Sequence, residues 1–216
     1  QSNLDGIIVE LLDVEGFGDA YHPRRSPDFT RVAFQNCGRQ PRYRTSKKST
    51  DGSLAMLAGK YDVLLFAEHG LYEPALEPQN QMHDRMCVMN KGTFTRLSYN
   101  TNDKDPKWNQ YGGTGITLNT DMRARMEKNG VGSDPTKLGR WTWTKICGKG
   151  GTTTVFVSAY QPCRNLDGLH TVWSQQARYF KDNKDIRTPD VHALFIRDLC
   201  KFLGDLRNEG NYVVFS

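Results

Sequence analysis

Asp62-Val63-Leu64-Leu65-Phe66-Ala67-Glu68-His69-Gly70 sets five consecutive apolar residues between two acidic ones. A strand with one face in water alternates apolar and polar residues. An unbroken apolar run reads instead as a strand buried on both faces. Glu68 and His69 then fall at the carboxyl end of a core strand, where the chain leaves the sheet. Upstream, Thr30-Arg31-Val32-Ala33-Phe34 is a second strand-like run, ending in Gln35-Asn36-Cys37-Gly38-Arg39. Polar residues 39 to 52 make a loop between them. A short helix fits Ser53 to Gly59, with Ser53 as its cap and Leu54, Leu57 and Ala58 on one face.

Downstream, residues 86 to 100 predict two short strands joined at Asn90-Lys91-Gly92, a hairpin signal. Residues 100 to 112 are polar and contain Pro106, so they read as a loop. Gly113-Thr114-Gly115-Ile116-Thr117-Leu118 returns to strand. Met122 to Gly139 is polar and broken by Gly130, Gly132 and Pro135. A hairpin follows, with Arg140 to Ile146 alternating, a turn at Gly148 to Gly151, and Thr153 to Tyr160 returning.

Two helices come next. Trp173, Ala177 and Phe180 recur at helical spacing in the first. In the second, Thr188 is the predicted cap, Pro189 suits the first helical position and Asp190 suits the positive end of the dipole. Val191, Leu194, Phe195, Leu199, Phe202 and Leu206 make its apolar stripe, and Gly210 ends it. Tyr212 to Phe215 begins a further strand. A strand so close to Ser216 leads us to expect that the polypeptide continues. Residues 1 to 30 lack a stable period and read as an N-terminal arm, leaving 31 to 216 as one domain.

The chain has 216 residues, enough for one sizeable core. With 37% hydrophobic and 25% charged residues it has the balance of a soluble globular protein. No apolar run is long enough to cross a membrane. The five cysteines, Cys37, Cys87, Cys147, Cys163 and Cys200, form no CxxC pair, and the five histidines complete no zinc spacing. Reduced thiols in an intracellular protein, nuclear or cytoplasmic, are the simplest account. The net charge of +5 is mild. Its placement is more informative, since Arg39, Arg42, Arg44, Lys47 and Lys48 cluster in one polar stretch. That stretch is either a phosphate-facing patch or a solvated loop.

Four signals in order carry a resemblance. They are Val32 to Arg39 with Asn36 before Gly38-Arg39, Val63 to His69 with Glu68 at the strand end, Tyr111-Gly112-Gly113-Thr114-Gly115-Ile116, and Val157-Ser158-Ala159-Tyr160-Gln161-Pro162. Singly, each is an ordinary turn or strand end. Together they resemble the endonuclease/exonuclease/phosphatase family, which includes deoxyribonuclease I, the apurinic endonucleases and the endonuclease domains of non-LTR retroelements. Thr171-Val172-Trp173 and the helix to Gly210 look most like the retroelement type.

The resemblance implies an α+β fold of two packed, mostly antiparallel sheets flanked by helices, a deoxyribonuclease I-like four-layer sandwich. It implies a divalent metal, Mg2+ or Mn2+, that neutralises a phosphodiester while water attacks. Glu68 matches the family's metal-binding Glu, Asn36 the Asn that supports metal and phosphate, and Tyr160 the Tyr on the scissile phosphate. Nucleic acid, DNA in particular, is the implied partner, with Arg39 to Lys48 on its backbone.

Two departures are visible: Cys37 stands where relatives often carry a polar residue, and Ala67 where many have Gln. The family's later Gly-Asp-x-Asn loop and Asp-His pair have no counterpart among these residues. The sandwich is therefore expected to be incomplete at its C-terminal side, and residues 1 to 216 by themselves are expected to cleave DNA poorly. A non-catalytic nucleic-acid-binding remnant, or a phosphatase acting on small or lipid phosphoesters, are the alternative readings.

Overall fold

In the computed structural model, residues 29–40, 50–102, 107–164, 171–184 and 186–216 are described, and Val32–Ser216 forms one compact unit. The expected arm over residues 1–30 lies outside the described residues, apart from its last two. Within the unit, β1 (Val32–Asn36) pairs in parallel with β2 (Val63–Ala67), so that Asn36 faces Ala67 across the ladder. All five residues of β2 are buried, as an unbroken apolar run requires. On its other side β2 pairs antiparallel with β4 (Thr114–Leu118), which pairs antiparallel with β3 (Phe94–Ser98). This sheet runs in the order β1-β2-β4-β3.

The second sheet joins β5 (Met126–Ser133), β6 (Trp141–Cys147), β7 (Thr153–Ala159) and β8 (Tyr212–Phe215) in sequence order. Its pairs are antiparallel except β7 with β8, which is parallel. Both sheets are therefore mixed, with antiparallel pairs in the majority.

Burial resolves the layers. One side of the first sheet packs Leu64 and Phe66 against Leu54, Ala55, Ala58, Met82 and Met86. Those residues come from α1 (Thr50–Lys60) and α2 (Met82–Met89). The other side packs Val63, Leu65, Ile116 and Leu118 onto Ile146 and Phe156 of the second sheet. The far side of the second sheet presents Trp141, Val155 and Val157 to Phe195, Leu199 and Leu206 of α5 (Val191–Asn208). Phe180 of α4 (Val172–Lys184) and Leu194 of α5 close a smaller cluster beside it. The order helix, sheet, sheet, helix is the four-layer arrangement that the sequence implied.

Four local expectations are corrected. The hairpin over residues 86 to 100 is a helix followed by one strand, because Met82, Met86 and Met89 share a helical face against the core. The polar stretch from Met122 contains a helical turn, α3 (Thr120–Ala124), and then β5. β5 is an edge strand whose register shifts between Met126 and Val131, with Asn129 at φ 63°, so it carries no alternation to read. The first helix begins at Thr50 rather than Ser53. The cap of α5 is Asp190, whose carboxylate accepts the Ala193 N–H at 3.1 Å, and not Thr188.

Candidate active site

The carboxyl ends of β1 and β2 and the exit of β7 converge at one edge of the space between the sheets. Along β7 and just beyond, Phe156, Ser158 and Tyr160 alternate onto the inner face. Phe156 enters the apolar core there. The Ser158 hydroxyl donates to the Phe66 carbonyl at 2.8 Å. The next inward residue, Tyr160, donates its hydroxyl to the Glu68 carboxylate. One strand's side chains thus pass from apolar packing, through a sheet-to-sheet hydrogen bond, to a phenol on a carboxylate.

Glu68 reaches that position through its backbone. It has φ 55°, a left-handed conformation unusual for a residue with a side chain. Its N–H donates to Gly113 O at 2.8 Å and its carbonyl accepts Arg39 N–H at 2.7 Å. Cys37 N–H to Ala67 O at 2.9 Å and Gln40 N–H to His69 O at 2.7 Å extend the pairing past the strand ends. Bonds on both sides over-determine the turn at Glu68, which is how a strained residue persists.

Asn36 ends β1 on the same inner face as Val32, one rung from Glu68 in the parallel ladder. Its side chain is exposed, and its Oδ1 accepts the Gly38 N–H at 3.0 Å, an Asx-type turn. β1 is an edge strand rather than a central one, so Asn36 stands at the rim of the sheet.

His69 lies under the site and outside its chemistry. The ring is fully buried, its Nδ1 accepting Leu71 N–H at 3.1 Å while Nε2 lies 3.0 Å from Ser98 O. An N–H donor on Nδ1 and a carbonyl on Nε2 fix the neutral tautomer with the proton on Nε2. Burial pushes its pKa down to about 4, against the opposing pull of the Ser98 carbonyl. Gly113, at φ 86°, lies so close over the ring that a Cβ there would collide with the imidazole. That contact explains the glycine between Tyr111 and Thr114.

The Tyr160 phenol is pushed well above the usual phenol range, first by burial and then by the Glu68 carboxylate it bonds. It remains a proton donor at all ordinary pH values. Of the basic stretch, Arg39 is exposed at φ 80°, with its guanidinium 4.0 Å from the centre of the Tyr111 ring. Arg42, Arg44, Lys47 and Lys48 lie outside the described residues.

Sequence reasoning missed Arg140, which is fully buried and supports this corner. It donates from Nε to Asp134 Oδ2 at 2.8 Å, from Nη2 to Asp134 Oδ1 at 3.0 Å and from Nη1 to Asp198 Oδ2 at 2.9 Å. Its carbonyl accepts the Tyr160 N–H at 2.9 Å. The Glu68 carboxylate and the amide of Asn36, whose strand partner is Ala67, carry hard oxygen atoms, the donor type that Mg2+ and Mn2+ take while keeping several waters. Among the described residues, no group of three or more His, Cys, Asp or Glu side chains is arranged to enclose an ion.

No family model and no curated protein matches this chain. Solved structures do. The chain is similar to a 3'-5' exonuclease from Neisseria meningitidis, at 15% identity and TM-score 0.47, covering 86% of this chain and 56% of that one. It is similar to an AP endonuclease from Archaeoglobus fulgidus, at 17% identity and TM-score 0.38, covering 74% and 54%. It is also similar to the endonuclease domain of a telomere-specific non-LTR retrotransposon, at 11% identity and TM-score 0.36, covering 80% and 71%. The chain spans about half the length of the exonuclease and the AP endonuclease it matches.

Proposed function

We infer that this chain carries part of a metal-dependent phosphodiesterase site that acts on DNA. The supporting observation is the Tyr160 hydroxyl on the Glu68 carboxylate, where two sheets meet beside Asn36. Glu68, with the Asn36 amide, would hold Mg2+ or Mn2+, and the ion would supply neutralisation of the phosphate and an activated water. Tyr160 stays protonated, and its single O–H would either hold the carboxylate, as it does here, or swing to a phosphate oxygen once substrate is bound. Asn36, exposed at the rim, has amide N–H groups to offer the same phosphate. Arg39, with Arg42, Arg44, Lys47 and Lys48, supplies the cations that a DNA backbone requires.

The test combines Mn2+ binding, read by water-proton relaxation, with nicking of supercoiled plasmid and hydrolysis of p-nitrophenyl phosphate. Glu68→Ala is expected to weaken Mn2+ binding at least about 10-fold, since it removes the one carboxylate. Any metal-dependent nicking should fall with it. Unchanged Mn2+ affinity in Glu68→Ala would overturn the reading. Hydrolysis of the monoester without plasmid nicking would move the assignment to a phosphatase.

A further inference from the structure

The strands on either side of β2 extend past its carboxyl end, and one side chain from each extension meets the other there. Arg39 follows β1 and Tyr111 precedes β4, on opposite sides of β2 in the sheet. Arg39 N–H donates to Glu68 O at 2.7 Å, and Gln110 N–H, just before Tyr111, donates to Gly70 O at 2.8 Å. Both extensions are thus fastened to the turn that carries Glu68. Gly70, at φ 69°, leaves the space in which they meet, because a Cβ there would lie 3.0 Å from Gln110 O and 3.1 Å from Arg39 Cγ. Gly112, just after Tyr111, lies beside the Tyr160 ring, its Cβ position 3.8 Å from Cδ1.

The meeting pair is open to solvent. Tyr111 is 45% exposed even with the Arg39 guanidinium 4.0 Å from its ring centre. Arg39 is exposed as well, and no carboxylate among the described residues pairs with it. Its backbone, at φ 80°, is in the left-handed region, which a residue with a side chain keeps only where its surroundings fix it. A guanidinium resting on a ring still has N–H donors for a phosphate. An accessible ring beside an uncompensated cation matches a nucleotide, whose base stacks and whose phosphate is anionic.

We propose, building on the phosphodiesterase reading of Glu68, that Arg39 and Tyr111 receive an unpaired nucleotide next to the scissile phosphate. The base stacks on the open part of the Tyr111 ring, and the adjoining phosphate meets Arg39. In a duplex the faces of each base are covered by its neighbours, so the ring takes only a base that is out of the stack. The substrate class this defines is single-stranded DNA, including unpaired strand ends.

The test is fluorescence anisotropy of residues 1–216 with labelled oligodeoxynucleotides in EDTA, which separates binding from cleavage. Three probes are compared at equal salt: a single strand, its duplex, and a strand of the same length whose residues are abasic tetrahydrofuran. The single strand is expected to bind at least about 5-fold tighter than either of the others, the low end of what base stacking supplies. Tyr111→Ala should remove that advantage and leave the abasic strand unchanged, whereas Tyr111→Phe should keep it. Arg39→Ala should weaken the single strand and the abasic strand alike and lower the salt dependence by about one phosphate contact. Equal affinity for all three probes, or an unchanged single-strand advantage in Tyr111→Ala, would overturn the proposal. Mn2+ relaxation keeps the two readings apart, since Tyr111→Ala should bind Mn2+ as the parent does. Unchanged Mn2+ affinity in Glu68→Ala with the base preference intact would remove the metal site and leave the pair as a binding site for unpaired nucleotides. Glu68-dependent Mn2+ binding without any base preference would overturn this proposal alone.

Discussion

Glu68 and His69 are neighbours in sequence with opposite fates, and the difference comes from which side of the sheet end each enters. Glu68 turns through a left-handed backbone to meet the Tyr160 hydroxyl at a half-buried edge. His69 turns inward, where Ser98 O and Leu71 N–H use both ring nitrogens. Its role is to lock the chain beneath the site, and that role depends on the ring being neutral. The folded pKa near 4 lies below the ordinary value of 6.5, so the unfolded chain binds the proton more readily. His69 therefore favours the folded state fully above about pH 6.5, and loses that contribution as pH falls from 6.5 through 4. The shift corresponds to about 3 kcal/mol. Urea unfolding at pH 7 and pH 4 should show a loss of roughly this size that is absent in His69→Gln. An equal acid loss in both proteins would assign it to carboxylates elsewhere. The residue pair was legible in the sequence, because an apolar run must end in something polar. Which of the two faced the cleft was decided by Gly113 and the Ser98 carbonyl, both distant in sequence.

Elements were legible where one periodicity dominated. The runs Val63–Ala67, Thr114–Leu118 and Thr153–Ala159 and the stripe from Val191 to Leu206 all appear as strands or helices where the pattern placed them. Errors arose where two local signals competed. In α2 the dipeptide-scale turn signal at Asn90 to Gly92 drew attention from the Met82, Met86, Met89 spacing. The turn is real, but it follows a helix. At α5, Thr188-Pro189 looked like a cap and first turn, yet the chain stays extended through Asp190, which has φ −79° and ψ 98° and caps with its own carboxylate. A charged cap beside the helix dipole is worth about 1 kcal/mol. Asp190→Ala is expected to cost about that much in urea unfolding, whereas Thr188→Ala should change stability by less than about 0.3 kcal/mol. The reverse order of effects would restore Thr188 as the cap. The stakes extend beyond the helix end, because His192 in the first turn of α5 lies 2.6 Å from Pro162 O, just after Tyr160.

Across the whole molecule, the interface between the sheets changes character along its length. At one end Val63, Leu65, Ile116, Leu118, Ile146 and Phe156 form a dry apolar core. At the other, the same inner faces carry Thr114, Thr142 and Ser158, all fully buried, before opening at Tyr160 and Glu68. Thr142 donates to the Thr114 carbonyl at 3.1 Å, which leaves the Thr114 hydroxyl to donate to Thr142 Oγ1 at 2.9 Å. Hydrogen bonds are directional where apolar contacts are not, so these hydroxyls set the register of one sheet on the other next to the candidate site. Strand alternation in the sequence exposes the inner-facing threonines, but no sequence signal says that they meet across the interface. Thr142→Val keeps the volume nearly constant while removing the donor to Thr114 O and the acceptor for its hydroxyl. The expected cost is about 1 to 3 kcal/mol in urea unfolding. Ile146→Val, at the apolar end, removes a methylene for about 1 kcal/mol and gives the comparison. If the hydroxyl pair sets the register at the site end, Thr142→Val should also weaken the Glu68-dependent binding of Mn2+, and Ile146→Val should leave it unaltered. Equal losses of stability with Mn2+ binding intact in both variants would show that Thr142 acts only as packing, and that Glu68 and Tyr160 are held together by their own strands alone.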